Sequence, residues 1–371
     1  MVKETEKLLN GDMDGKWKPE NETLTLNHQT YRLSEVDWEA FNQIYPNALW
    51  WQAISRFLQK WANASSTITL KTSGSTGTPK LVEVPKKYLQ ISAIKTCQFF
   101  NLDASSTGLL CLSAEYIAGQ MMLVRAMVSG MDLICVEPNS NPVLELDQPI
   151  DFAAMVPLQV KQSLETPVKL LHVKQIIIGG GTLDAVDSVE LSQLPIITYE
   201  TFGMTETLSH IALKMVAPKK QKFFSTLSGI TVSRNGDNQL IIHYPELGIE
   251  QLLTNDLVEI INPSTFKWLG RADFVINSGG VKISPESLEE KIAPFISQSF
   301  CVIGVPDEKL GEKAILVLEG KSFNTMKLFG QMKQLLPTFH CPKEIRFIEN
   351  FPLTATGKIQ RMELKNKFLA K

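Results

Sequence analysis

Apolar residues change their spacing several times along this chain, and each change predicts a different kind of element. Across residues 36–61 they recur every three or four positions, the period of helices laid on a core. The aromatics of the first 65 residues (Trp17, Trp38, Trp50, Trp51 and Trp61) read as packing rather than a ligand box. From about residue 66, short β-branched runs at 67–70, 133–136, 175–178 and 195–199 alternate with longer helical patterns. That alternation predicts an α/β fold with a largely parallel sheet. Between residues 229 and 274 the pattern turns to strands and tight turns, with Asn235-Gly236 and Asn262-Pro263 as turn signals.

A compact unit follows. Ser284 is expected as an N-cap, with Pro285 at the first helical position and Glu286 and Glu289 in the first turns. Strands over 300–305 and 314–318 and an apolar-periodic helix near 325–336 complete it. A domain boundary is expected near Arg271–Asp273, and no internal repeat or low-complexity segment is visible.

Composition narrows the class. At 371 residues the chain has room for two or three domains, and 44% hydrophobic with 20% charged residues excludes a disordered tail, a collagen-like fibre and a disulfide-stapled miniprotein. Net charge is −2, without the basic excess a general nucleic-acid binder needs. Residues 275–371 carry +4 and the remainder −6, an asymmetry that suits an anionic small ligand. The five cysteines (Cys97, Cys111, Cys135, Cys301 and Cys341) form no CxxC pair, so free thiols in a reducing, cytoplasmic compartment are expected. The polar opening of the chain predicts no signal peptide. The most apolar stretch, 108–136, is broken by Glu115, Arg125 and Asp132, so no membrane span is expected.

Four tracts carry candidate chemistry. The first is Thr72-Ser73-Gly74-Ser75-Thr76-Gly77-Thr78-Pro79-Lys80, just after the 67–70 strand. Glycines let backbone amides approach a ligand, and hydroxyls with one Lys can hold phosphate oxygens. Pro79 and Leu81 exclude a Walker A loop, which opens a helix with Gly-Lys-Ser/Thr. The second, Phe202-Gly203-Met204-Thr205-Glu206, offers a hydroxyl for phosphate, a hard carboxylate for Mg²⁺ and an aromatic face for a base. The third joins Thr254-Asn255-Asp256 to Gly270-Arg271-Ala272-Asp273. Asp256 can accept both ribose hydroxyls and Arg271 can bridge ribose and phosphate, the alternative being a surface ion pair. The fourth, Pro352-Leu-Thr-Ala-Thr-Gly-Lys358, presents a Lys after Gly in a loop.

In order and spacing, these tracts resemble the adenylate-forming (acyl-CoA synthetase, AMP-binding) superfamily. The hydroxyl-rich tract resembles its phosphate loop, Phe202 to Glu206 its Y-G-x-T-E motif, Thr254 to Asp256 its T-G-D, Arg271 to Asp273 its G-R-x-D, and Pro352 to Arg361 its P-x-T-x-x-G-K-I-x-R. Within it the chain is most similar to the o-succinylbenzoate–CoA ligases of menaquinone synthesis. Ile117-Ala-Gly119-Gln120 with Arg125, Gly130-Met131, Ala154-Met-Val-Pro157 with Gln159, Ile176-Ile-Ile-Gly179-Gly180-Gly181 and Met204-Thr-Glu-Thr-Leu-Ser209 carry that likeness. The departures are Tyr116 for a usual His, Phe202 for Tyr, Asn255 for Gly, Asn277 for Lys, and a shortened N-terminal region.

The resemblance implies a large α/β domain over 1–272, with mixed and parallel sheets and helices, and a small mobile α+β domain over 273–371. It implies a two-step ligase that uses ATP, Mg²⁺, coenzyme A and a carboxylic acid, with no nucleic-acid partner; a homodimer is compatible with it. Lys358 would bridge acyl carboxylate and α-phosphate, Thr205 would hold the α-phosphate, and Glu206 would bind Mg²⁺. The 73–80 loop would cradle the β- and γ-phosphates. Asp256 and Arg271 would fix the ribose, with Gly179, Gly180, Gly181, Phe202 and Gly203 framing adenine and Asp273 at the hinge. Tyr116, Gly119, Arg125, Ser209 and His210 would line the acyl pocket. Arg125 in an apolar helix wants an anion: a second carboxylate on the substrate, or an internal salt bridge with Glu115 or Asp132. The rival functions are a ligase for another aryl or medium-chain acid, an adenylation domain loading a carrier protein, and a non-catalytic nucleotide-binding relative.

Overall fold

The computed structural model describes residues 23–71, 81–320, 324–353 and 359–369. Trp17, the tract from Thr72 to Lys80, and Lys358 lie outside them.

Among the described residues the strands run in chain order as β1 (Thr23–Leu26), β2 (Gln29–Arg32), β3 (Thr67–Lys71), β4 (Leu81–Pro85), β5 (Thr107–Leu110), β6 (Asp132–Cys135), β7 (Ile150–Met155), β8 (Val173–Ile178) and β9 (Ile197–Gly203). They continue as β10 (His210–Ala217), β11 (Phe224–Thr226), β12 (Thr231–Arg234), β13 (Gln239–Tyr244), β14 (Ile249–Asn262) and β15 (Thr265–Arg271). All but β3 and β4 form one continuous sheet in the order β12-β13-β14-β15-β11-β10-β9-β8-β7-β5-β6-β1-β2. Its β9-β8-β7-β5-β6-β1 half is parallel, with helices as crossovers, and from β10 onward neighbours are antiparallel.

One expectation needs correcting. The 67–70 run does form a strand, but it joins no parallel sheet: β3 pairs only with β4, antiparallel, from Thr67↔Pro85 to Lys71↔Leu81. A β-branched run specifies a pleated, half-buried strand without naming its neighbour. The hydroxyl-rich tract therefore connects the two arms of a hairpin.

The helices obey their local signals. Leu49–Ala62 buries Trp51, Ile54, Phe57, Leu58 and Trp61, spaced by three and four. Trp51 stacks on Phe41 at 4.7 Å and donates its indole N–H to the Phe41 carbonyl at 2.7 Å, so these aromatics are core. Helix Lys86–Phe100 stops at Asn101, whose left-handed backbone returns its N–H to Cys97. Helix Ile117–Ser129 stops at Gly130 with φ 77° and an N–H to the Ala126 carbonyl at 2.8 Å. All five cysteines are buried free thiols.

A smaller α+β unit follows β15. Strands β16 (Ile276–Ser278), β17 (Val281–Ile283), β18 (Phe300–Asp307), β19 (Gly311–Glu319) and β20 (Glu344–Ile348) make a second sheet, with β20 parallel to β19. Helix Pro285–Ile292 opens as the sequence predicts: the Ser284 hydroxyl accepts from the Ser287 N–H, and Pro285 occupies the first turn. Among the described residues no helix is long and apolar enough to cross a membrane.

Candidate active site

The candidate residues gather where strands of the large sheet end and turn. Strand β9 ends at Phe202 and Gly203, a single 3₁₀ turn spans Thr205–Thr207, and β10 begins at His210. The turn is tightly closed. A Cβ on Gly203 would lie 2.4 Å from the Ser209 carbonyl, so only glycine fits there. Leu208 leaves the turn at φ 64°, a region a branched side chain seldom visits without a reason. The buried Thr207 hydroxyl clips the two strand ends together, donating to the Ser209 carbonyl at 2.8 Å and accepting from the Met204 N–H at 3.1 Å.

Thr205 and exposed Glu206 face a cleft of about 220 Å³ whose opposite wall includes Leu70, Val84 and Tyr88. The arms of the β3–β4 hairpin and the turn that bears the candidate phosphate and magnesium groups thus line one cleft. Among the described residues no group of three or more His, Cys, Asp or Glu side chains could hold a metal. A single carboxylate at Glu206 suits Mg²⁺, which commonly takes one or two protein carboxylates and completes its shell with phosphates and water.

Phe202 is half-buried, its ring 5.2 Å from Phe266 and 5.7 Å from Phe224, so part of its surface is already committed to an aromatic cluster. Gly179, Gly180 and Gly181 follow β8; Gly180 has φ 80°, and a Cβ on Gly181 would touch Pro157 at 3.4 Å.

Asp256 and Arg271 are register partners across β14 and β15. They do not form a surface ion pair. Asp256 is 5% exposed, and its Oδ1 accepts the Trp268 indole N–H at 2.9 Å, with the Arg271 guanidinium 3.9 Å from Oδ2. Arg271 instead makes its short contact with Asp273, at 2.8 Å. Asp273 lies in a 3₁₀ turn after β15, and Asn255 donates to its carboxylate at 3.1 Å. The residue standing in place of the family's glycine thus holds the expected hinge. Nothing in the local sequence pattern announces this contact or the one from Trp268.

The third cluster surrounds Arg125. Helix Ile117–Ser129 starts after half-exposed Tyr116 and presses on the preceding loop; a Cβ on Gly119 would lie 2.4 Å from the Ser113 carbonyl. Arg125 is 2% exposed. Neither proposed internal partner reaches it, because Glu115 pairs with Arg56 at 3.0 Å and Asp132 with His28 at 2.6 Å. Its described contacts are Ser209 Oγ at 3.1 Å from Nη2 and Met122 Sδ at 3.4 Å from Nη1, while its buried Nε–H has no acceptor. Burial draws the guanidinium down to about 10, which leaves it a cation at neutral pH. His210 sits behind Ser209, and burial, then the Arg125 charge, holds it well below the ordinary imidazole range and neutral.

Comparison with known proteins fits this geometry. A family model described as AMP-binding enzyme matches residues 12–233, more than half of the chain. The chain belongs to the AMP-binding enzyme family. A second model, the AMP-binding enzyme C-terminal domain, matches residues 294–358. A 2-succinylbenzoate–CoA ligase of Staphylococcus aureus (strain Newman) is 27% identical over 327 residues, covering 79% of this chain and 65% of that protein. The chain therefore spans about two thirds of the length of that curated relative. An acyl-CoA synthetase (AMP-forming)/AMP-acid ligase II-like protein from Dyadobacter fermentans is 35% identical with a TM-score of 0.58, covering 87% of this chain and 95% of its own. The o-succinylbenzoate CoA synthetase of Bacillus subtilis, in complex with its acyl-adenylate intermediate, shares the fold at TM-score 0.70 and 21% identity, over 80% of this chain and 68% of its own.

Proposed function

We propose that this family member is an AMP-forming acid–CoA ligase whose acid carries a second carboxylate, with o-succinylbenzoate as the substrate and menaquinone synthesis as the setting. The observation that carries the acid assignment is Arg125: a buried cation with no carboxylate among its described partners and one N–H without an acceptor. An unpaired buried charge is costly, and an anion delivered by the ligand offsets that cost only when the right acid is bound. Because the guanidinium is closed to solvent, that acid must part the side chains around it.

In the first half-reaction the acid's carboxylate oxygen attacks the α-phosphorus of ATP. The bond to the bridging oxygen breaks, and pyrophosphate leaves. Two anions must meet, so cations have to neutralise charge as it develops. Lys358 bridges carboxylate and α-phosphate, and Thr205 orients the α-phosphate. The tract from Thr72 to Lys80 (Ser73, Gly74, Ser75, Thr76 and Gly77 within it) cradles the β- and γ-phosphates. Asp256 and Arg271 hold the ribose, and Phe202 with Gly179 to Gly181 frames adenine. Mg²⁺ held by Glu206 supplies charge neutralisation on the phosphates. In the second half-reaction the thiol sulfur of coenzyme A attacks the acyl carbonyl, and AMP departs. Asp273 is assigned as the hinge that turns the 273–371 unit between the two steps. Before that turn Arg271 must exchange Asp273 for the nucleotide.

The test is pyrophosphate release with ATP, Mg²⁺ and a panel of acids, with and without coenzyme A. Release that is greatest with o-succinylbenzoate, and lost in Lys358→Ala, supports the reading. Release with benzoate or a medium-chain acid alone reassigns the substrate. No release with any acid overturns the enzyme.

A further inference from the structure

A chain of four side chains runs inward from the acid-binding candidate to a helix that carries no recognised motif. Arg125 Nη2 donates to Ser209 Oγ at 3.1 Å, Ser209 Oγ lies 3.4 Å from His210 Nδ1, and His210 Nε2 lies 3.3 Å from Thr96 Oγ1. Thr96, in helix Lys86–Phe100, is 3.2 Å from the Ser92 carbonyl. Thr96 is fully buried, and Arg125 and His210 are nearly so.

The direction of every hydrogen bond follows from the two ends. A carbonyl only accepts, so the single Thr96 hydroxyl proton goes to Ser92. Thr96 Oγ1 is then left as an acceptor, and His210 Nε2 must carry the proton. Neutral His210 has its second nitrogen, Nδ1, as an acceptor, so Ser209 gives its proton inward. The Ser209 oxygen is left facing outward as an acceptor for Arg125. With the other tautomer of His210, the Nε2 and Thr96 Oγ1 lone pairs would meet face to face in a buried contact.

We propose that Thr96 is a positioning residue for acid specificity: it fixes the Nε2–H form of His210, which draws the Ser209 proton inward and turns the Ser209 lone pairs toward the Arg125 guanidinium. This rests on the reading of Arg125 as the anchor of the second carboxylate. It requires Thr96, whose hydroxyl meets His210 and not the cleft lined by Thr205 and Glu206, to act on the acid and not on ATP. Thr96→Val keeps the shape and removes the acceptor, and Thr96→Ser restores it.

Two readouts test it. Long-range ¹H–¹⁵N spectra of histidine-labelled protein, assigned with His210→Gln, should show His210 as the neutral Nε2–H form in wild type and in Thr96→Ser. In Thr96→Val that form should be lost or mixed with Nδ1–H. Kinetically, Thr96→Val should raise KM for o-succinylbenzoate about tenfold, with KM for ATP and kcat within about twofold of wild type and Thr96→Ser near wild type. An Nδ1–H or charged His210 in wild type overturns the proposal, as does a folded Thr96→Val with unchanged KM for the acid. Equal losses toward acid and ATP also overturn it, since they report general damage to the fold. If wild type turns over no dicarboxylic acid, the assignment of the acid falls and the specificity role falls with it, while the spectra still decide the hydrogen-bond chain.

Discussion

The Asp256 carboxylate accepts a 2.9 Å hydrogen bond from the Trp268 indole N–H, across the β14–β15 ladder. That bond holds Oδ1 in place, while Oδ2 is the oxygen nearer Arg271. A group assigned to a ribose is therefore oriented by a neighbour, so stability and nucleotide binding can be separated by mutation. Asp256→Asn keeps an oxygen for Trp268 and should leave the melting temperature within a degree or two. Asp256→Ala leaves a part-buried indole N–H without its acceptor and should cost about 1 kcal/mol. Both should raise KM for ATP at least about tenfold, the loss of one charge-assisted hydrogen bond. Denaturant unfolding alongside ATP titration distinguishes the two effects.

Arg125→Met should separate stability from function in the opposite sense. Replacing a buried, unpaired cation by an apolar chain of similar length should be neutral or stabilising in thermal unfolding. The same change should lower kcat/KM for o-succinylbenzoate about a hundredfold, which corresponds to about 2.7 kcal/mol of transition-state stabilisation. Arg125→Lys should recover only part, because a point charge does not reproduce the planar fork.

In the smaller unit, Arg361 holds the C-terminal helix Arg361–Leu369 to helix Pro285–Ile292 through Glu289, at 2.9 Å from Nη1, and donates to the Val302 carbonyl at 2.8 Å. Burial works against this guanidinium's charge, but Glu289, Cys301 and Glu286 together outweigh it and hold Arg361 further into its charged form. Glu289→Gln leaves a largely buried cation with the more distant Glu286 as its remaining carboxylate, 3.6 Å away. Unfolding of this unit should become easier by about 2 kcal/mol. Hydrogen exchange across β18 and β19 measures it.

Asp187 supplies a pH signature. Burial, then the adjacent Asp184 carboxylate, pushes its carboxyl up to about 6. A carboxyl that titrates higher in the folded chain than in the unfolded one, where it titrates near about 3.9, favours folding when protonated. Its contribution is complete below about pH 4 and is lost as pH rises through about 6. Asp187→Asn should raise the melting temperature by about 1–2 °C at pH 7.5, the shift being screened by solvent, and leave it unchanged at pH 4.

Much of the architecture was legible because periodicity is local. The helix Leu49–Ala62, the Ser284 cap and the strands of the smaller unit follow from residues a few positions apart. Pairing is not local. The β3 run looks like its parallel neighbours in composition, yet it pairs with β4. Arg125 posed the same difficulty. Glu115 and Asp132 lie near it in sequence, but Arg56 and His28, more than fifty residues away, claim them in the fold. Thr96 carried no signal, since its role depends on His210, which lies 114 residues later.

The most direct test is a single-turnover reaction of wild type with ATP, Mg²⁺, coenzyme A and o-succinylbenzoate, followed by mass spectrometry. The expected result is an acyl-adenylate that converts to the coenzyme A thioester with one AMP per product, with neither species formed by Lys358→Ala and greatly reduced yield in Arg125→Met. Wild-type yield in Arg125→Met, or a thioester formed from benzoate but not from o-succinylbenzoate, would contradict the account.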